Sequence, residues 1–279
     1  SRLKILFKKF RWLKKELMKW RNLMQNNHTF VICAYGDSKY LEECIHSLKK
    51  QTLKSQLILY TSTPSEYIEQ ICQKNEIVMH TAQGGGIGKD WNLALSFVTT
   101  PYATIAHQDD IYLPDYCEKI MSQMTEETLI AYSDYQEVKE GVAIPLTSNL
   151  KIKQLMLRTM AMFPKWKFWR NRVLAFGNPI SCPAVTYNLK KLNDFKFNEE
   201  MKVSLDWFAW YQIAQKNGSF TFVDESLMYH RIHEESETTN SIENNIRTKE
   251  DYEMYLLFWP KFIASLLLKY YKKSQDTNA

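Results

Sequence analysis

The chain has 279 residues, of which 45% are apolar and 14% aromatic, so it is long enough to bury one large core. Eight glycines and eight prolines are too few for a fibrous or low-complexity protein. Residues 1–25 contain nine Lys or Arg against one acid, whereas residues 26–279 contain 27 against 30. The positive charge therefore belongs to the first segment, and the rest of the chain is not expected to bind nucleic acid.

The five cysteines are scattered and include no C-x-x-C pair, which argues against a disulfide framework or a zinc site. This pattern favours a reducing compartment. The first segment lacks the uninterrupted apolar stretch of a signal peptide. The longest apolar window, residues 255–271, is broken by Lys261, Lys269 and Pro260, so no helix is expected to span a membrane. These features together predict a cytoplasmic protein.

Residues 1–27 form the first predicted unit, a basic amphipathic helix. Its apolar residues recur at spacings of three and four and form one stripe: Leu3, Leu6, Phe10, Leu13, Leu17, Trp20 and Met24. Lys and Arg fill the other faces, as in helices that lie on an anionic membrane surface such as the inner face of the plasma membrane. The same spacing suits a helix that packs on its own domain or pairs with a second copy in a homodimer, and these alternatives stay open.

From Thr29 onward, apolar runs typical of strands alternate with helical patterns. The predicted strands are Thr29–Tyr35, Gln56–Thr61, Glu76–His80 and Tyr102–His107. The predicted helices between them are Ser38–Gln51, Pro64–Lys74 and Ile87–Val98. This alternation predicts an α/β fold whose first half is a parallel, doubly wound sheet.

The second half of the chain predicts fewer strands. A further strand is expected over Leu129–Tyr135, a helix over residues 204–217, and two separate strands over Ser219–Val223 and Leu227–His233. A helical tail is expected from Ile242 to Lys273, interrupted at Pro260.

Residues 148–176 contain seven Lys or Arg and no acid, interleaved with Met, Phe and Trp. Such a segment can cover an active site, grip a phosphorylated acceptor or rest on a bilayer. It also fits an ordinary amphipathic helix followed by a loop.

Two adjacent carboxylates, Asp109 and Asp110, follow directly after the predicted buried strand Tyr102–His107. Open α/β sheets bind ligands at the carboxyl ends of their strands. Paired carboxylates there suit a divalent cation that carries a phosphate ligand, because Mg²⁺ and similar cations prefer oxygen donors. The alternative is a helix N-cap, since a helix is expected to begin near Pro114.

The order of four motifs resembles that of the family 2 glycosyltransferases, over roughly residues 29–235. The motifs are A-Y-G-D at 34–37, H-Q-D-D-I-Y-L-P-D-Y at 107–116, L-D-W at 205–207 and Y-H-R-I-H-E-E-S-E-T-T at 229–239. The resemblance implies the GT-A fold, a Rossmann-like mixed sheet flanked by helices. It also implies a nucleotide-diphosphate sugar donor, Mn²⁺ or Mg²⁺ as cofactor, and inversion at the anomeric carbon.

Carried over residue by residue, the resemblance places the metal ligands at Asp109, Asp110 and His233. His107 stands where the family has its first acid. Asp206 matches the family's general base, and Leu205 replaces the glutamate that usually precedes it. Arg231 matches a basic position that steadies the diphosphate.

The resemblance also implies a nucleotide-sugar pocket after the first three strands. The family has an acid after the second strand to contact the base, and Thr61-Ser62-Thr63 stands there instead. The glycines at 84–86 offer backbone N–H groups to phosphate or sugar. The nucleotide-sugar contacts are therefore expected at Ala34, Tyr35, Asp37, Ser62, Gly86, Lys89, Asn92, Asp109 and Arg231.

We therefore expect three units: the helix 1–27, a GT-A domain 28–235 and a helical extension 236–279. Within the domain, residues 28–136 would bind the nucleotide sugar, with UDP favoured, and residues 137–235 the acceptor. The predicted activity is transfer to a hydroxyl of a glycan or lipid-linked glycan in surface polysaccharide or glycoconjugate assembly. The alternatives are a catalytically silent nucleotide-sugar-binding or scaffold relative, and a nicotinamide-dependent dehydrogenase.

Overall fold

A computed structural model describes residues 27–232 and 241–276, together with residues 9, 15–16, 18–21 and 24 of the first segment. Most of the predicted first helix and the metal ligand predicted at His233 therefore lie outside the described residues.

The described residues contain nine strands: β1 His28–Ala34, β2 Gln56–Thr61, β3 Val78–Thr81, β4 Tyr102–His107, β5 Ile111–Tyr112, β6 Thr128–Lys139, β7 Val142–Ala143, β8 Val185–Asn188 and β9 Ser219–Ile232. They form one sheet with the spatial order β3-β2-β1-β4-β8-β6-β9-β5, and β7 pairs with the end of β6.

The first half of the sheet confirms the predicted parallel arrangement. Strand β1 pairs in parallel with β2 on one side and with β4 on the other, and β2 pairs in parallel with β3. Strand β8 then runs antiparallel to both β4 and β6. The sheet as a whole is therefore mixed, and the doubly wound parallel pattern holds only for its first half.

Nine helices of the described chain cover the sheet or extend from it. They are α1 Leu41–Lys49, α2 Glu66–Asn75, α3 Ile87–Ser96, α4 Tyr116–Gln123, α5 Ser148–Ala161, α6 Lys167–Leu174, α7 Leu205–Ala214, α8 Ser241–Phe258 and α9 Lys261–Asp276. A short 3₁₀ turn, Cys182–Ala184, precedes β8.

The sheet separates two buried cores, because side chains alternate between the faces of a strand. On β1, Phe30 and Ile32 face the core that is covered by α1, α2 and α4, whereas Val31 faces the other. The second core contains Trp210 of α7 and Met254 of α8. The C-terminal helices thus complete a core of the sheet and do not merely trail from it.

Strand β9 is continuous, although the sequence predicts two strands there. Its parallel pairing with β6 is irregular near Asp134: Ser133 pairs with Val223, but the next residue, Asp134, pairs with Ser226. The two residues between them, Asp224 and Glu225, form a bulge whose carboxylates face solvent and pair with basic side chains. Two adjacent charged residues are typical of a turn, which is why the sequence predicts a break here. The strand continues because its residues pair with β6 on both sides of the bulge.

The described end of the first segment packs on the domain. Trp20 and Met24 contact the core beneath α4. Arg21 donates from Nε and from Nη2 to the two carboxylate oxygens of Glu118, each at 2.8 Å. These contacts favour the self-packing alternative for this end of the segment.

Arg170 of α6 is fully buried and bonded only to backbone carbonyls. Its guanidinium donates to the oxygens of Gly218 and Lys216 at 2.7 Å, of Ala214 at 2.9 Å and of Pro164 at 3.3 Å. One cation thus satisfies the carbonyls at the end of α7 and the start of β9, groups that would otherwise be buried without donors.

We expect Arg170→Met to lower the free energy of unfolding by about 3 to 5 kcal/mol, because it strips several buried carbonyls of a charged donor. Urea denaturation measures the loss. The matched control is Arg158→Met, whose exposed pair with Asp224 contributes less than about 1 kcal/mol. Equal losses in the two variants would contradict the role of Arg170.

Candidate active site

The candidate site lies at the carboxyl ends of β1 and β4, which run in parallel and so end at the same edge of the sheet. The side-chain amide of Gln108 joins the two loops that leave this edge. The backbone N–H of Tyr35 donates to its Oε1 at 3.2 Å, and its Nε2 donates to the Tyr35 carbonyl at 2.9 Å. The bonds fix the segment that carries Asp109 and Asp110 against the end of β1.

Asp110 is fully buried, and β9 holds its carboxylate. Its Oδ1 lies 3.1 Å from Nδ1 of His230 and accepts from the backbone N–H of Arg231 at 3.1 Å. Burial alone would raise the pKa of Asp110, but the charge and hydrogen bond of His230 outweigh it, and the pKa lies below its usual value. The same pairing overcomes the burial of His230 and raises its pKa to about 9.

The other oxygen of Asp110, Oδ2, is buried and has no hydrogen-bond partner. Nδ1 of His107 lies 3.9 Å from it. Nε2 of His107 is also buried without a hydrogen bond, and the ring of Trp91 stacks on the imidazole at 5.4 Å. Buried polar atoms are rarely left unpaired, so Oδ2 of Asp110 is an atom that suits a ligand.

Arg231 places a guanidinium next to the acidic pair. Its Nε donates to the backbone carbonyl of Asp109 at 3.0 Å, and Nη2 lies 2.5 Å from Oε2 of Glu43. The guanidinium also lies over the ring of Tyr40, 4.2 Å from the ring centroid. With these three contacts the cation is 6% exposed and fixed in place.

The donor atoms at this edge fit a hard divalent cation. Asp109 and Asp110 supply carboxylate oxygens, and the unpartnered Oδ2 of Asp110 is the atom that most needs such a partner. Among the described residues no group of three or more His, Cys, Asp or Glu forms a complete metal cluster. His233, the further ligand predicted from the sequence, lies outside that range.

Asp206 stands in the first turn of α7. Its Oδ2 accepts from Nδ2 of Asn178 and its Oδ1 from the backbone N–H of Trp207, both at 2.7 Å. Burial raises the pKa of Asp206 in spite of these two hydrogen bonds and of the nearby Lys153. A carboxylate of raised pKa is a stronger base once ionised, so this environment suits proton transfer.

Two carboxylates of α8 hold the segment that leads to Asp206. The carboxylate of Glu250 accepts from the backbone N–H groups of Lys202, Val203 and Ser204, all at 2.8 Å. Asp251 accepts from Oγ of Ser204 at 2.7 Å, and burial raises its pKa to about 6. No pattern in the sequence indicates this role, because acids on a helix usually face solvent.

Lys153 of α5 is close enough to several acidic groups to be influenced by their charge. The pKa of Lys153 is raised, chiefly by Tyr135 and further by Asp206 and Glu137. Glu137 also contributes to the raised pKa of His230, whose ring meets Tyr135 edge-on at 6.0 Å.

The residues predicted for the nucleotide lie around the ends of β1 and β2. Ala34 is buried, whereas the side chain of Tyr35 is 71% exposed beside it. Asp37 accepts from Oγ of Ser65 at 2.5 Å. Ser62 donates to Oδ2 of Asp90 at 2.9 Å, so an acid from α3 stands beside the position where the family acid is missing.

The glycine segment before α3 is open at Gly86, which has a φ of 110°. Nζ of Lys89 lies 3.5 Å from the carbonyl of Gly84, at the edge of this loop. Asn92 is engaged with the protein itself: its amide oxygen accepts from the N–H of Phe197 at 2.8 Å, and its nitrogen donates to the Phe197 carbonyl at 3.0 Å. Its predicted contact with the donor would therefore have to share or replace these bonds.

The helices, the mixed sheet and an acidic edge of this kind define a GT-A glycosyltransferase fold. Two structures show the likeness. Residues 1–349 of TarS from S. aureus in complex with UDP-GlcNAc match with a TM-score of 0.61 at 17% identity, over 90% of this chain and 72% of that one. The mannosyltransferase PcManGT of Pyrobaculum calidifontis in complex with GDP-Man and Mn²⁺ matches at 0.58 and 11%, over 88% and 70%.

The chain belongs to glycosyl transferase family 2, whose profile matches residues 29–193. Glycosyltransferase GlyG of Streptococcus pneumoniae is 27% identical over 218 residues, which cover 72% of this chain and 69% of GlyG. A glycosyltransferase of Methanocaldococcus jannaschii is 23% identical over 85% of this chain and 86% of its own. The family membership leaves the dehydrogenase alternative without support.

We expect the pair of His230 and Asp110 to make stability depend on pH. A pKa raised from 6.5 to about 9 means that the folded protein holds a proton that the unfolded chain releases, so the contribution is complete below about pH 6.5 and is lost as the pH rises through about 9. The side chain is 38% exposed, so we expect about 1 to 2 kcal/mol and not the full shift.

Urea denaturation at pH 6.5 and pH 9 tests this expectation on the wild type and on His230→Asn. The wild type should lose stability over this interval, and the variant should lose about 1 to 2 kcal/mol less. His46→Asn, in an exposed part of α1, is the control and should keep the wild-type slope. An unchanged slope in His230→Asn would show that the pair does not govern this dependence.

Proposed function

We propose that this protein transfers a sugar from a nucleotide-diphosphate donor to a hydroxyl of a glycan acceptor, with inversion and with a divalent metal. The observation that carries the proposal is that one short segment, residues 178–183, joins both kinds of carboxylate such a reaction needs. Asn178 donates to the carboxylate of Asp206, and the carbonyl of Pro183 accepts from the hydroxyl of Tyr112, two residues after Asp110.

At the donor end, Asp109 and Asp110 would hold Mn²⁺ or Mg²⁺, with His233 as a further ligand. Such a cation, when bound, neutralises negative charge on the departing diphosphate. Arg231 stands next to this position with its guanidinium fixed by Glu43 and by the Asp109 carbonyl. A fixed guanidinium suits the oxygens of a diphosphate, to which it can donate two parallel hydrogen bonds.

At the acceptor end, Asp206 would take the proton of the attacking hydroxyl. That hydroxyl oxygen bonds to the anomeric carbon from the face opposite the nucleotide, the bond to the diphosphate oxygen breaks, and the configuration inverts. Asn178 and the Trp207 N–H orient the carboxylate, and Glu250 fixes the turn that precedes it. Orientation of one base within hydrogen-bond reach of the hydroxyl is sufficient for this step.

The fold neighbours support the choice of donor and metal. TarS is described with UDP-GlcNAc, and PcManGT with GDP-Man and Mn²⁺. By analogy with them, we propose that this protein uses a nucleotide sugar as donor, with UDP-linked sugars favoured, and a divalent cation. The acceptor is proposed to be a glycan or lipid-linked glycan of surface polysaccharide assembly.

Two substitutions separate the donor role from the base role. Asp109→Asn should abolish the Mn²⁺-dependent rise in melting temperature that the correct nucleotide sugar causes, because a ligand that binds the folded state stabilises it. Asp206→Asn should keep that rise but lower turnover roughly a hundredfold to ten-thousandfold, because it removes the base. Thermal shift with a panel of nucleotide sugars, followed by nucleotide release with the sugar that binds, measures both.

Asp224→Asn is the matched control, since this aspartate lies on the β9 bulge, is exposed and pairs with Arg158. It should behave as the wild type in both assays. Unchanged turnover in Asp206→Asn would remove the base assignment. Binding of the donor without turnover by the wild type would favour the catalytically silent relative.

The pH profile provides a second test of Asp206. Asn178 stabilises the ionised carboxylate, so Asn178→Ala should raise the pKa of Asp206 and move the acid limb of kcat/KM to higher pH. Asn171→Ala on α6, which does not contact Asp206, should leave the limb in place. An acid limb that does not move in Asn178→Ala would show that Asp206 does not control it.

A further inference from the structure

A row of aromatic side chains lies exposed along α6 and the segments next to it. We call it the aromatic ridge. Its exposed members are Phe163, Trp166, Phe168 and Phe176, with exposed fractions of 44%, 52%, 58% and 56%. Single exposed apolar residues are ordinary, but four large aromatic residues within one short stretch of chain mark an interaction surface.

The ridge is continuous, because neighbouring rings contact one another. Phe163 lies 5.7 Å from Trp166, and Trp166 lies 5.6 Å from Phe168. The guanidinium of Arg172 lies 5.6 Å from the ring of Phe168 and 4.9 Å from that of Trp259. Trp259 in turn lies 5.5 Å from Phe176. The surface therefore extends from the turn before α6 to the segment beyond its end.

The charge around the ridge is positive. Residues 148–176 contain seven Lys or Arg and no acid, and residues 259–273 contain four Lys and no acid. Two of these cations are paired with acids from elsewhere, Lys165 with Glu127 and Arg158 with Asp224. Arg170 is fully buried and does not reach this surface. The cations that remain include Lys151, Lys167, Arg172, Lys261 and Lys269, and neither segment contains an acid to balance them, so the surface attracts anions.

Helix α9 carries the same combination on its outer face. Phe262, Leu266 and Tyr270 recur every four residues and are 75%, 54% and 67% exposed. Lys261 and Lys269 are their neighbours along the helix. The opposite face of α9 packs inward through Ala264, so the helix is apolar on both sides, and within the described residues the inner side is the one that packs on the protein.

We propose that the aromatic ridge and the outer face of α9 bind the surface of an anionic lipid bilayer. Trp and Phe rings that alternate with Lys and Arg match the boundary between headgroups and acyl chains, where aromatic rings lie at the headgroup level and cations meet anionic phosphates. No helix in the described ranges is long and apolar enough to cross a membrane, so the contact is peripheral.

One end of the aromatic ridge lies close in the chain to the residues proposed to act on the acceptor. Phe176 is two residues from Asn178, which bonds the carboxylate of Asp206. One end of the lipid-binding surface thus lies beside the proposed base. An acceptor sugar attached to a membrane lipid would reach Asp206 without leaving the bilayer surface. This last step rests on the proposed function, whereas the lipid contact does not.

A local probe tests the contact in the full-length chain. Phe168→Cys labelled with an environment-sensitive fluorophore should brighten and shift to the blue on addition of phosphatidylcholine vesicles that contain phosphatidylglycerol. Pure phosphatidylcholine vesicles should give a weaker response, because the cations then lack anionic partners. The native cysteines are buried or half-buried, so the label goes to position 168.

Val142→Cys is the matched control, since this residue of β7 is 70% exposed and far from the ridge in sequence. Its label should not respond to the vesicles. A silent label at position 168 would overturn the proposal, even if the chain binds the vesicles through its first segment. A response at 168 that follows protein concentration without vesicles would overturn it in favour of self-association.

A sedimentation assay provides the second measurement. Trp166→Ser combined with Phe168→Ser should lower the partition coefficient onto the anionic vesicles at least about tenfold, because two rings no longer enter the headgroup layer. Val142→Ser should leave it unchanged. Donor binding by thermal shift should be normal in both variants, so a failure of the proposed transferase activity is distinguishable from a failure of the lipid contact. Equal partitioning of the double variant and the wild type would count against the proposal.

Discussion

The buried carboxylate of Asp110 is the constraint on which the geometry of the site depends. Asp110 follows the end of β4, and two successive residues of β9 bind its carboxylate, through the imidazole of His230 and the N–H of Arg231. These strands are not neighbours in the sheet. The charge pair therefore joins the first half of the chain to its last strand, and it does so where burial strengthens the attraction.

The arrangement also distributes roles between the two adjacent acids. One oxygen of Asp110 is committed to β9, and only Oδ2 is left for a ligand. Asp109 is partly exposed, and its backbone carbonyl receives the guanidinium of Arg231. The two acids look equivalent in the sequence but have different surroundings in the structure. Asp110 is buried, with one carboxylate oxygen bonded to β9 and the other without a hydrogen bond, whereas Asp109 is partly exposed.

The sequence predicted the parallel strands to within about two residues, because buried strands are apolar runs bounded by polar turns. The same signal failed at β9, where Asp224 and Glu225 looked like a break and are a bulge in a continuous strand. The choice of Asp109, Asp110, Asp206 and Arg231 as candidate site residues follows from a family pattern and not from periodicity.

The residues that support the site could not be predicted, because their partners are far away in the chain. Glu250 bonds the turn at Lys202–Ser204, and Asn178 reaches Asp206, contacts that leave no local pattern in the sequence. Asp90 stands beside Ser62 only because α3 packs against the end of β2. The family match ends at residue 193, whereas Asp206 and the acids that hold its segment all come later.

Gly88 in α3 shows how closely the two halves of the molecule approach. A methyl group added there would lie 2.0 Å from the carbonyl oxygen of Asn198, a distance that no pair of unbonded atoms tolerates. The same loop is bonded by the amide of Asn92, one helical turn further on. The absence of a side chain at one position therefore sets how closely α3 and the loop at Asn198 approach, and any larger residue would push the two apart.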